Sequence, residues 1–276
     1  MNIGIIGLGL IGGSFAKATK VRTSHKVFGM DIDRSVVLKA KLVEAIDGVL
    51  TPEMISECDL VLVALSPVAA KEVLQQYAPK FKKGAVVVDT TGIKKSISAL
   101  MRPLSKKYGF VFVGGHPMAG MECSGFDFSG QKLFSSASMI LTPAEYVGIQ
   151  CMDMLKQYFL SLGFAAITIS TPEEHDRIIA YTSQLAHVVS GVFVRSKTAA
   201  EHLGFSAGSY KDMTRVATMN PEMWTQLFLE NQSNLLKEVD GLIERLQEVR
   251  QTLADKNAPA LRKLLAEGND RKANVG

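Results

Sequence analysis

The sequence has few cysteines and little net charge. It contains 3 Cys in 276 residues, at positions 58, 123 and 151. No short spacing joins them, which argues against a metal site such as zinc and against a disulfide framework, and favours a reducing compartment. The 31 basic and 27 acidic residues give a formal net charge of +4, too balanced to indicate a nucleic-acid partner. The chain is 47% hydrophobic and 21% charged, which excludes a disordered or collagen-like protein.

Long apolar runs and a secretion signal are also missing. No stretch approaches the ~18 uninterrupted apolar residues of a membrane span, so we expect no membrane partner. The first residues, 2–7, begin directly with an apolar run and lack the basic segment and cleavage site of a signal peptide. We therefore expect a cytoplasmic location.

Short apolar runs alternate with helix-like stretches up to residue 170. Several runs are apolar at successive positions, which is typical of parallel strands covered on both faces. The predicted strands are Ile3–Ile6, Lys26–Met30, Leu60–Leu65, Ala85–Val88, Phe110–Val113, Ser138–Leu141 and Ala165–Ile169, and the predicted helices are Gly12–Lys20, Arg34–Leu42, Val68–Tyr77, Lys94–Lys107 and Pro143–Leu162. This alternation predicts an α/β domain, residues 1–170, with a doubly wound, mostly parallel Rossmann-type sheet.

A helical region begins at Thr171. Thr171 can cap a helix, Pro172 suits the first turn, and the two glutamates that follow favour the positive end of the helix dipole. The stretch 178–194 is apolar nearly all round, a pattern typical of a helix buried in a bundle or a subunit interface. We predict an all-helical dimerisation domain over residues 171–276 and a homodimer formed through it.

A glycine fingerprint follows the first predicted strand. Gly7, Gly9 and Gly12 form a G-x-G-x-x-G pattern, with Leu10 and Ile11 at the start of the helix. Gly7 permits the tight turn, Gly9 lets the backbone approach a pyrophosphate, and Gly12 allows close packing of helix and strand. The helix N-terminus presents free N–H groups to phosphate. A structural glycine turn is the alternative, but the pattern predicts a dinucleotide site.

Asp31 follows the second predicted strand. An acid here accepts hydrogen bonds from the adenosine ribose and repels a 2′-phosphate, which favours NAD over NADP. Arg34 lies nearby in sequence and can tolerate a phosphate, so NADP stays an alternative. Ser66 and Thr90, which come soon after later strands, are assigned to the cofactor site as well, with helix capping as the alternative for Thr90.

His116 lies in the segment 114–120, GGHPMAG, after the apolar run Phe110–Val113. In an open α/β sheet, ligands bind beyond the carboxyl ends of the strands, so this histidine is expected to face the cofactor cleft. An imidazole there can take a proton from an alcohol as a hydride leaves the adjoining carbon. A surface or packing histidine is the alternative. Thr91 is a candidate substrate ligand, or a helix cap.

Four residues of the helical region are further candidates. His187 sits in an apolar helix, where a buried structural histidine is the usual explanation. Lys211 and Arg215 are four residues apart on one helix face. Two stacked cations repel each other unless an anion binds between them, and the planar arginine fork suits a carboxylate. Solvated surface charge is the alternative. Trp224 is expected to pack against an interface or a helix start.

Together these segments resemble the prephenate dehydrogenase family, the tyrosine-branch enzymes that use NAD or NADP. The resemblance covers nearly the whole chain. It rests on the glycine fingerprint, Asp31 and the segments 116–120 (HPMAG), 183–187 (SQLAH), 211–215 (KDMTR) and 220–224 (NPEMW). It implies NAD-dependent oxidative decarboxylation of prephenate to 4-hydroxyphenylpyruvate, with the substrate held by the helical domain.

The resemblance also implies a role for each matching residue. His116 would be the base that accepts the proton of the ring hydroxyl. Arg215 would bind a substrate carboxylate, with support from Lys211. His187 would reach the substrate from the helical domain, and Trp224 would lie near the site, delivered across the dimer.

The sequence departs from the family pattern in three places. Met121 replaces a threonine before Glu122, an acid that would help to shape and gate the site. Gln184 and Ala186 replace a histidine and a proline, and the segment 91–92 is Thr-Gly where Gly-Ser is common. These changes leave the substrate side chain open, so arogenate dehydrogenase stays an alternative. A non-catalytic dinucleotide sensor, or a small reductase of another 3-hydroxyacid or imine type, stays open too.

Overall fold

A computed structural model describes residues 1–121 and 123–275 as a sheet domain followed by helices. The strands are β1 (Asn2–Ile6), β2 (Lys26–Met30), β3 (Gly48–Val49), β4 (Leu60–Val63), β5 (Val86–Asp89), β6 (Val111–Pro117), β7 (Ser138–Pro143) and β8 (Ala166–Ile169). They form one sheet in the order β3-β2-β1-β4-β5-β6-β7-β8. Neighbouring strands run parallel except at the antiparallel β6–β7 pair.

The centre of the sheet is its most buried part. Strands β4 and β5 carry the runs LVLV and VVVD, and every residue of both is buried. Such runs suit parallel strands covered on both faces. The chain order reverses between β1 and β4, where β2 continues the sheet on one side and β5 on the other. This reversal opens a crevice at the carboxyl ends of the central strands, where ligands bind in doubly wound sheets.

Five helices cover the sheet: α1 (Leu10–Arg22), α2 (Arg34–Leu42), α3 (Pro67–Tyr77), α4 (Lys95–Tyr108) and α5 (Ile149–Ser161). Two apolar clusters fill the space beneath them. One gathers Phe15, Phe134 and Phe159 with residues of α1 and α5. The other contains Leu74 and Met101 from α3 and α4. The core therefore lies on both faces of the sheet, which fixes the strand ends that border the crevice.

A series of helices follows the last strand. The helices are α6 (Pro172–Ile179), α7 (Ala186–Phe193), α8 (Gly208–Thr214), α9 (Pro221–Glu230), α10 (Gln232–Ala254) and α11 (Ala258–Val275). The hydroxyl of Thr171 caps α6 by accepting a hydrogen bond from the Glu174 N–H at 3.1 Å, and Pro172 opens the helix. Within the described ranges, no helix has the length and apolar character that crossing a membrane requires.

Three local predictions are wrong. Strand β6 runs on to Pro117, so His116 lies inside a strand, opposite Ile140 of β7. Pro143 ends β7, and the following helix begins only at Ile149. The apolar stretch 178–194 is two helices joined by a π-helical segment, Ala180–Leu185. Several of its apolar side chains are exposed in the single chain, as a subunit interface would require.

Candidate functional site

The loop between β1 and α1 has the shape of a phosphate-binding turn. Gly7 has a φ of +87°, and a Cβ there would come within 2.4 Å of the Ala64 carbonyl oxygen. A Cβ on Gly12 would lie 1.8 Å from the carbonyl oxygen of Gly7. At Gly9, by contrast, a Cβ would meet nothing within 4 Å. Gly7 and Gly12 are therefore required by packing, whereas Gly9 borders open space.

The N-terminus of α1 adjoins this open space. Leu10 and Ile11 begin the helix, Gly9 is its N-cap, and its first turn has no acidic residue. The first N–H groups of a helix have no partner within the helix and attract anions. The loop and the helix end together fit the pyrophosphate of a dinucleotide.

Asp31 lies beside the same loop. One carboxylate oxygen accepts a hydrogen bond from the Leu8 N–H at 2.7 Å, and the other accepts one from the Asp33 N–H at 3.0 Å. Each oxygen keeps a second lone pair, which suits a ribose hydroxyl. Asp31 therefore both fixes the loop and remains able to bind a sugar.

Ser66 and Thr90 continue the same edge of the sheet, after β4 and β5. Ser66 is half-buried and is the N-cap of α3, with no hydrogen bond from its side chain to the helix. The Thr90 hydroxyl instead donates to the Val63 carbonyl at 3.2 Å. Of these two predicted cofactor contacts, Ser66 has the more available hydroxyl.

His116 is hydrogen-bonded to a second histidine from the helical domain. Its Nδ1 lies 2.9 Å from Nε2 of His175 on α6, and the ring planes meet at 62°. The other ring nitrogen of His175, Nδ1, lies 2.7 Å from Oδ1 of Asp176. The three side chains form a chain of hydrogen bonds that begins at the sheet and ends at a carboxylate.

The carboxylate of Asp176 determines which atoms donate and which accept in this series of hydrogen bonds. The Asp176 carboxylate also accepts the N–H groups of Lys94 at 2.8 Å and Lys95 at 2.9 Å. Because an ionised carboxylate only accepts hydrogen bonds, the Nδ1 of His175 carries a proton and donates it. The Nε2 of neutral His175 then accepts from Nδ1–H of His116. The remaining nitrogen, Nε2 of His116, is left as a proton acceptor.

The surroundings keep this acceptor unprotonated. Burial lowers the pKa of His116 well below its ordinary value, and the nearby His175 and Lys94 lower it further. Burial also lowers the pKa of His175, an effect that the hydrogen bond to Asp176 opposes. Both imidazoles are therefore neutral at pH 7, and His116 is suited to the role of a general base.

The helix α9 closes the cleft beside His116. A Cβ on Gly92 would stand 3.2 Å from Cδ2 of Leu227 and 3.9 Å from Nε2 of His116. One turn earlier on α9, the Trp224 ring packs against the His187 ring, with centroids 3.8 Å apart and ring planes tilted by 31°. Residues three apart share a helix face, so Trp224 and Leu227 lie on the same face of α9. Trp224 reaches His187 within one chain, so that contact needs no second subunit.

Polar contacts hold α6 and α9 in place. The Asn231 side chain donates to the Asp176 carbonyl at 2.7 Å and to Oε1 of Gln184 at 2.8 Å. The Gln184 amide donates to the Leu227 carbonyl at 2.9 Å. Lys71 on α3 pairs with Glu230 on α9 at 2.6 Å. The helical domain is thereby fixed to the sheet domain around the His116–His175 pair.

The other substrate candidates are placed differently. Thr91 is buried, and its hydroxyl lies 2.7 Å from Asp89 and 2.8 Å from the Ile93 carbonyl oxygen. Thr91 is thus part of the hydrogen-bond network at the strand end, and its contact with a substrate stays a prediction. Lys211 lies on α8 and Arg215 ends it, one turn on, and both are exposed. Glu122 lies outside the described residues.

Sequence reasoning missed His175 and Asp176, which are only 2% and 1% exposed. A signal was present. The buried positions of α6 are 172, 175, 176 and 179, the spacing of one helix face. Two titratable residues on the inward face of a helix with a recognised cap mark a functional candidate.

Comparisons with known proteins identify the family. Residues 15–168 match the family model described as prephenate dehydrogenase, nucleotide-binding domain, and residues 171–267 match prephenate dehydrogenase, dimerization domain. The chain belongs to the prephenate dehydrogenase family. The predicted family and fold class are thereby confirmed, and the protein is a dehydrogenase with a dinucleotide cofactor.

Individual members of the prephenate dehydrogenase family are similar over the whole chain. Cyclohexadienyl dehydrogenase of Zymomonas mobilis is 32% identical over 271 residues, covering 94% of this chain and 91% of that protein. Prephenate dehydrogenase from A. aeolicus, solved with hydroxyphenyl propionate and NAD+, has a TM-score of 0.87 at 27% identity, covering 100% of this chain and 98% of that one. Synechocystis arogenate dehydrogenase has a TM-score of 0.83 at 28% identity and covers all of both chains. These relatives include enzymes named for prephenate and for arogenate.

Proposed function

We propose that this protein is an NAD-dependent prephenate dehydrogenase, which converts prephenate to 4-hydroxyphenylpyruvate in tyrosine biosynthesis. The observation that carries the proposal is the hydrogen-bonded chain from Asp176 through His175 to His116. It leaves Nε2 of His116 as a neutral proton acceptor in the cleft bordered by Gly92 and Leu227. Oxidation of a ring alcohol requires a base of this kind.

In this mechanism, His116 removes a proton from the substrate. Bound NAD supplies the acceptor for the hydride. The bond between the substrate hydroxyl oxygen and its proton breaks as Nε2 of His116 gains that proton. His116 keeps donating to His175 through Nδ1, so the new positive charge faces a hydrogen-bond chain that ends at the Asp176 carboxylate. Loss of the ring carboxylate as carbon dioxide then makes the ring aromatic, so the protein's tasks are positioning and proton removal.

The substrate carboxylates need cationic partners. We assign Arg215 to a substrate carboxylate and Lys211 to its support, because the two side chains lie one turn apart at α8. We assign His187 and Trp224, whose rings are in contact, to the wall of the substrate site on the helical side. We also assign Glu122 the gating role. The boundary between the dinucleotide-binding domain, 1–170, and the substrate-binding domain, 171–276, is part of this proposal.

The cofactor preference rests on Asp31. Its carboxylate lies beside the phosphate-binding loop through the hydrogen bond from Leu8. A negative charge at this point accepts ribose hydroxyls and repels a 2′-phosphate. We therefore assign Gly7, Gly9, Gly12, Asp31 and Ser66 to NAD, with NADP as the weaker cofactor.

Assembly and location are part of the proposal. Helix α10 exposes a series of apolar side chains at helical spacing: Leu236, Ile243, Leu246, Val249 and Leu253. An apolar stripe of this kind is typical of a helix that packs against a partner. It supports a homodimer through the helical domain. Cys58, Cys123 and Cys151 have free thiols, which supports a cytoplasmic location.

Arogenate dehydrogenase is the second candidate. The same base and dinucleotide site would serve a substrate with an amino-bearing side chain. The similarity to Synechocystis arogenate dehydrogenase over the full length of both chains supports this second candidate. The two candidates differ only in the side chain that the helical domain recognises.

One panel tests the proposal. Formation of the reduced dinucleotide is followed with prephenate and with arogenate, each with NAD and with NADP, and the product is identified. We expect the highest kcat/KM with prephenate and NAD. A higher value with arogenate would assign the second candidate. Dinucleotide binding without reduction by either substrate would indicate a sensor without turnover.

A further inference from the structure

A buried lysine, Lys94, contacts strand β6, which carries His116. It has no part in the proposed proton transfer. Lys94 is completely buried, and so is the Asp89 carboxylate with which it pairs. The Lys94 ammonium donates to Asp89, to the Gly115 carbonyl at 2.6 Å and to the Thr91 hydroxyl at 3.2 Å. An ammonium offers three donors, and all three have acceptors here. The geometry is that of a charged, fully hydrogen-bonded lysine.

The two glycines before His116 are both closely packed against neighbouring groups. A Cβ on Gly114 would lie 3.1 Å from Cδ of Lys94 and 2.3 Å from Oγ1 of Thr142. A Cβ on Gly115 would lie 2.7 Å from the Asp89 carbonyl oxygen. Gly114 therefore leaves space for the Lys94 side chain, whereas Gly115 allows the close approach of the β5 backbone. The carbonyl that Lys94 holds belongs to the peptide bond leading into His116.

A buried ion pair needs a reason other than stability. Replacing such a pair with apolar residues of similar volume is often neutral or stabilising, because desolvation offsets the attraction between the charges. Burial lowers the pKa of Lys94, and the Asp89 carboxylate opposes this effect. The Asp89–Lys94 pair lies next to the proposed base, His116, where a fixed charge changes the proton affinity of the imidazole.

The charges around His116 come from several elements. Among the residues that the structure describes, they are His175 and Asp176 on α6, Lys94 before α4 and Asp89 on β5, while α9 contributes the apolar Leu227. Lys94 is among the causes that lower the pKa of His116. A cation near an imidazole disfavours its protonated form.

We propose that Lys94 is a positioning residue for His116: its ammonium, paired with Asp89, anchors the Gly115–His116 peptide and places a positive charge next to the His116–His175 pair. This rests on the proposed role of His116 as the base. Lys94 thereby sets the orientation of the His116 imidazole. It also sets the lowest pH at which this imidazole is neutral and able to accept a proton from the substrate.

The direct test is an NMR titration of His116 in protein labelled with ¹⁵N-histidine, assigned with His116→Asn. In Lys94→Met the midpoint should rise by about one pH unit, because the variant loses the cation and leaves the Asp89 carboxylate unpaired. The double variant Asp89→Asn/Lys94→Met removes both charges and should shift the midpoint in the same direction by less. Lys107→Met, an exposed lysine at the other end of α4, is the control and should not shift it.

Activity assays add the second readout. The acid limb of kcat should move with the NMR midpoint, and the plateau should fall about tenfold because methionine cannot hold the Gly115 carbonyl. If Lys94→Met does not fold, the double variant decides. An unchanged midpoint in a folded double variant would overturn the proposal. A shifted midpoint in a protein inactive on prephenate and arogenate would instead refute the proposed function and leave the charge effect of Lys94 standing.

Discussion

Nδ1 of His116 and Nε2 of His175 lie 2.9 Å apart, although one residue belongs to strand β6 and the other to helix α6. The proposed base is therefore oriented only when the helical domain is docked on the sheet. Asp176 strengthens that docking because its two carboxylate oxygens accept the first N–H groups of α4. Domain packing and base orientation thus depend on the same residues.

The first prediction concerns His175. His175→Asn should lower kcat by roughly 10- to 100-fold, since His116 loses the acceptor that keeps its Nδ1 protonated. The KM values for prephenate and NAD should stay close to those of the parent protein, which separates a positioning role from a general loss of structure. His25→Asn, a histidine at the amino end of β2 and far from the crevice, is the control. A fall in kcat/KM caused by KM alone would contradict the orientation role.

The second prediction separates two glycines of the same loop. Gly7→Ala should lower the free energy of unfolding by about 1–3 kcal/mol, because Gly7 has a positive φ and no space for a Cβ. Gly9→Ala should leave stability within about 0.5 kcal/mol but raise the KM for the dinucleotide about tenfold. Denaturant titration and steady-state kinetics measure the two effects. An unchanged dinucleotide KM in Gly9→Ala would place the pyrophosphate elsewhere.

The third prediction concerns the choice of dinucleotide. Asp31→Ser should raise the KM for NAD and lower that for NADP, which changes the ratio of the two kcat/KM values by tenfold or more, roughly 1.4 kcal/mol. Asp33→Ser is the matched control, since Asp33 caps α2 through the Ser35 N–H at 2.8 Å and serine also caps helices. If the ratio of kcat/KM with NAD to kcat/KM with NADP is the same in Asp31→Ser and Asp33→Ser, Asp31 does not bind the ribose.

The fourth prediction concerns the proposed carboxylate site. Arg215→Ala should raise the KM for prephenate by roughly 10- to 100-fold, the range of a hydrogen bond to a charged group. kcat should change little, because the contact is present in the ground and transition states alike. Lys211→Ala should have the same effect to a smaller degree, and Arg102→Ala on α4 should have none. A normal KM in Arg215→Ala would remove Arg215 from the site.

The sheet was the most predictable part of the fold. Apolar runs such as LVLV in β4 indicate buried strands, and the bounds of the predicted strands agree with the structure to within two residues, except at the end of β6. The two-residue β3 is too short to leave a pattern. The end of β6 was missed because glycine and proline are rare in strands. Here, pairing with β7 overrides that preference.

The site was predictable only in parts. Gly7, Gly9 and His116 stand in local patterns that carry their chemistry. The His116–His175 contact spans 59 residues of sequence, and a single sequence contains no signal for such a pairing. The same holds for Lys94, since a lysine before a helix is ordinarily solvated. The buried ion pair depends on the space that Gly114 leaves beside the Lys94 side chain.

The most direct test of the account is the turnover of prephenate by wild-type protein and by His116→Asn across pH. Because neutral His116 is the active form and burial lowers its pKa, wild-type kcat should fall only below the ordinary histidine value of about 6.5. His116→Asn should turn over ~10²–10⁴-fold more slowly while binding NAD with unchanged affinity. Turnover equal to the wild type in His116→Asn would contradict the assignment of His116 as the base.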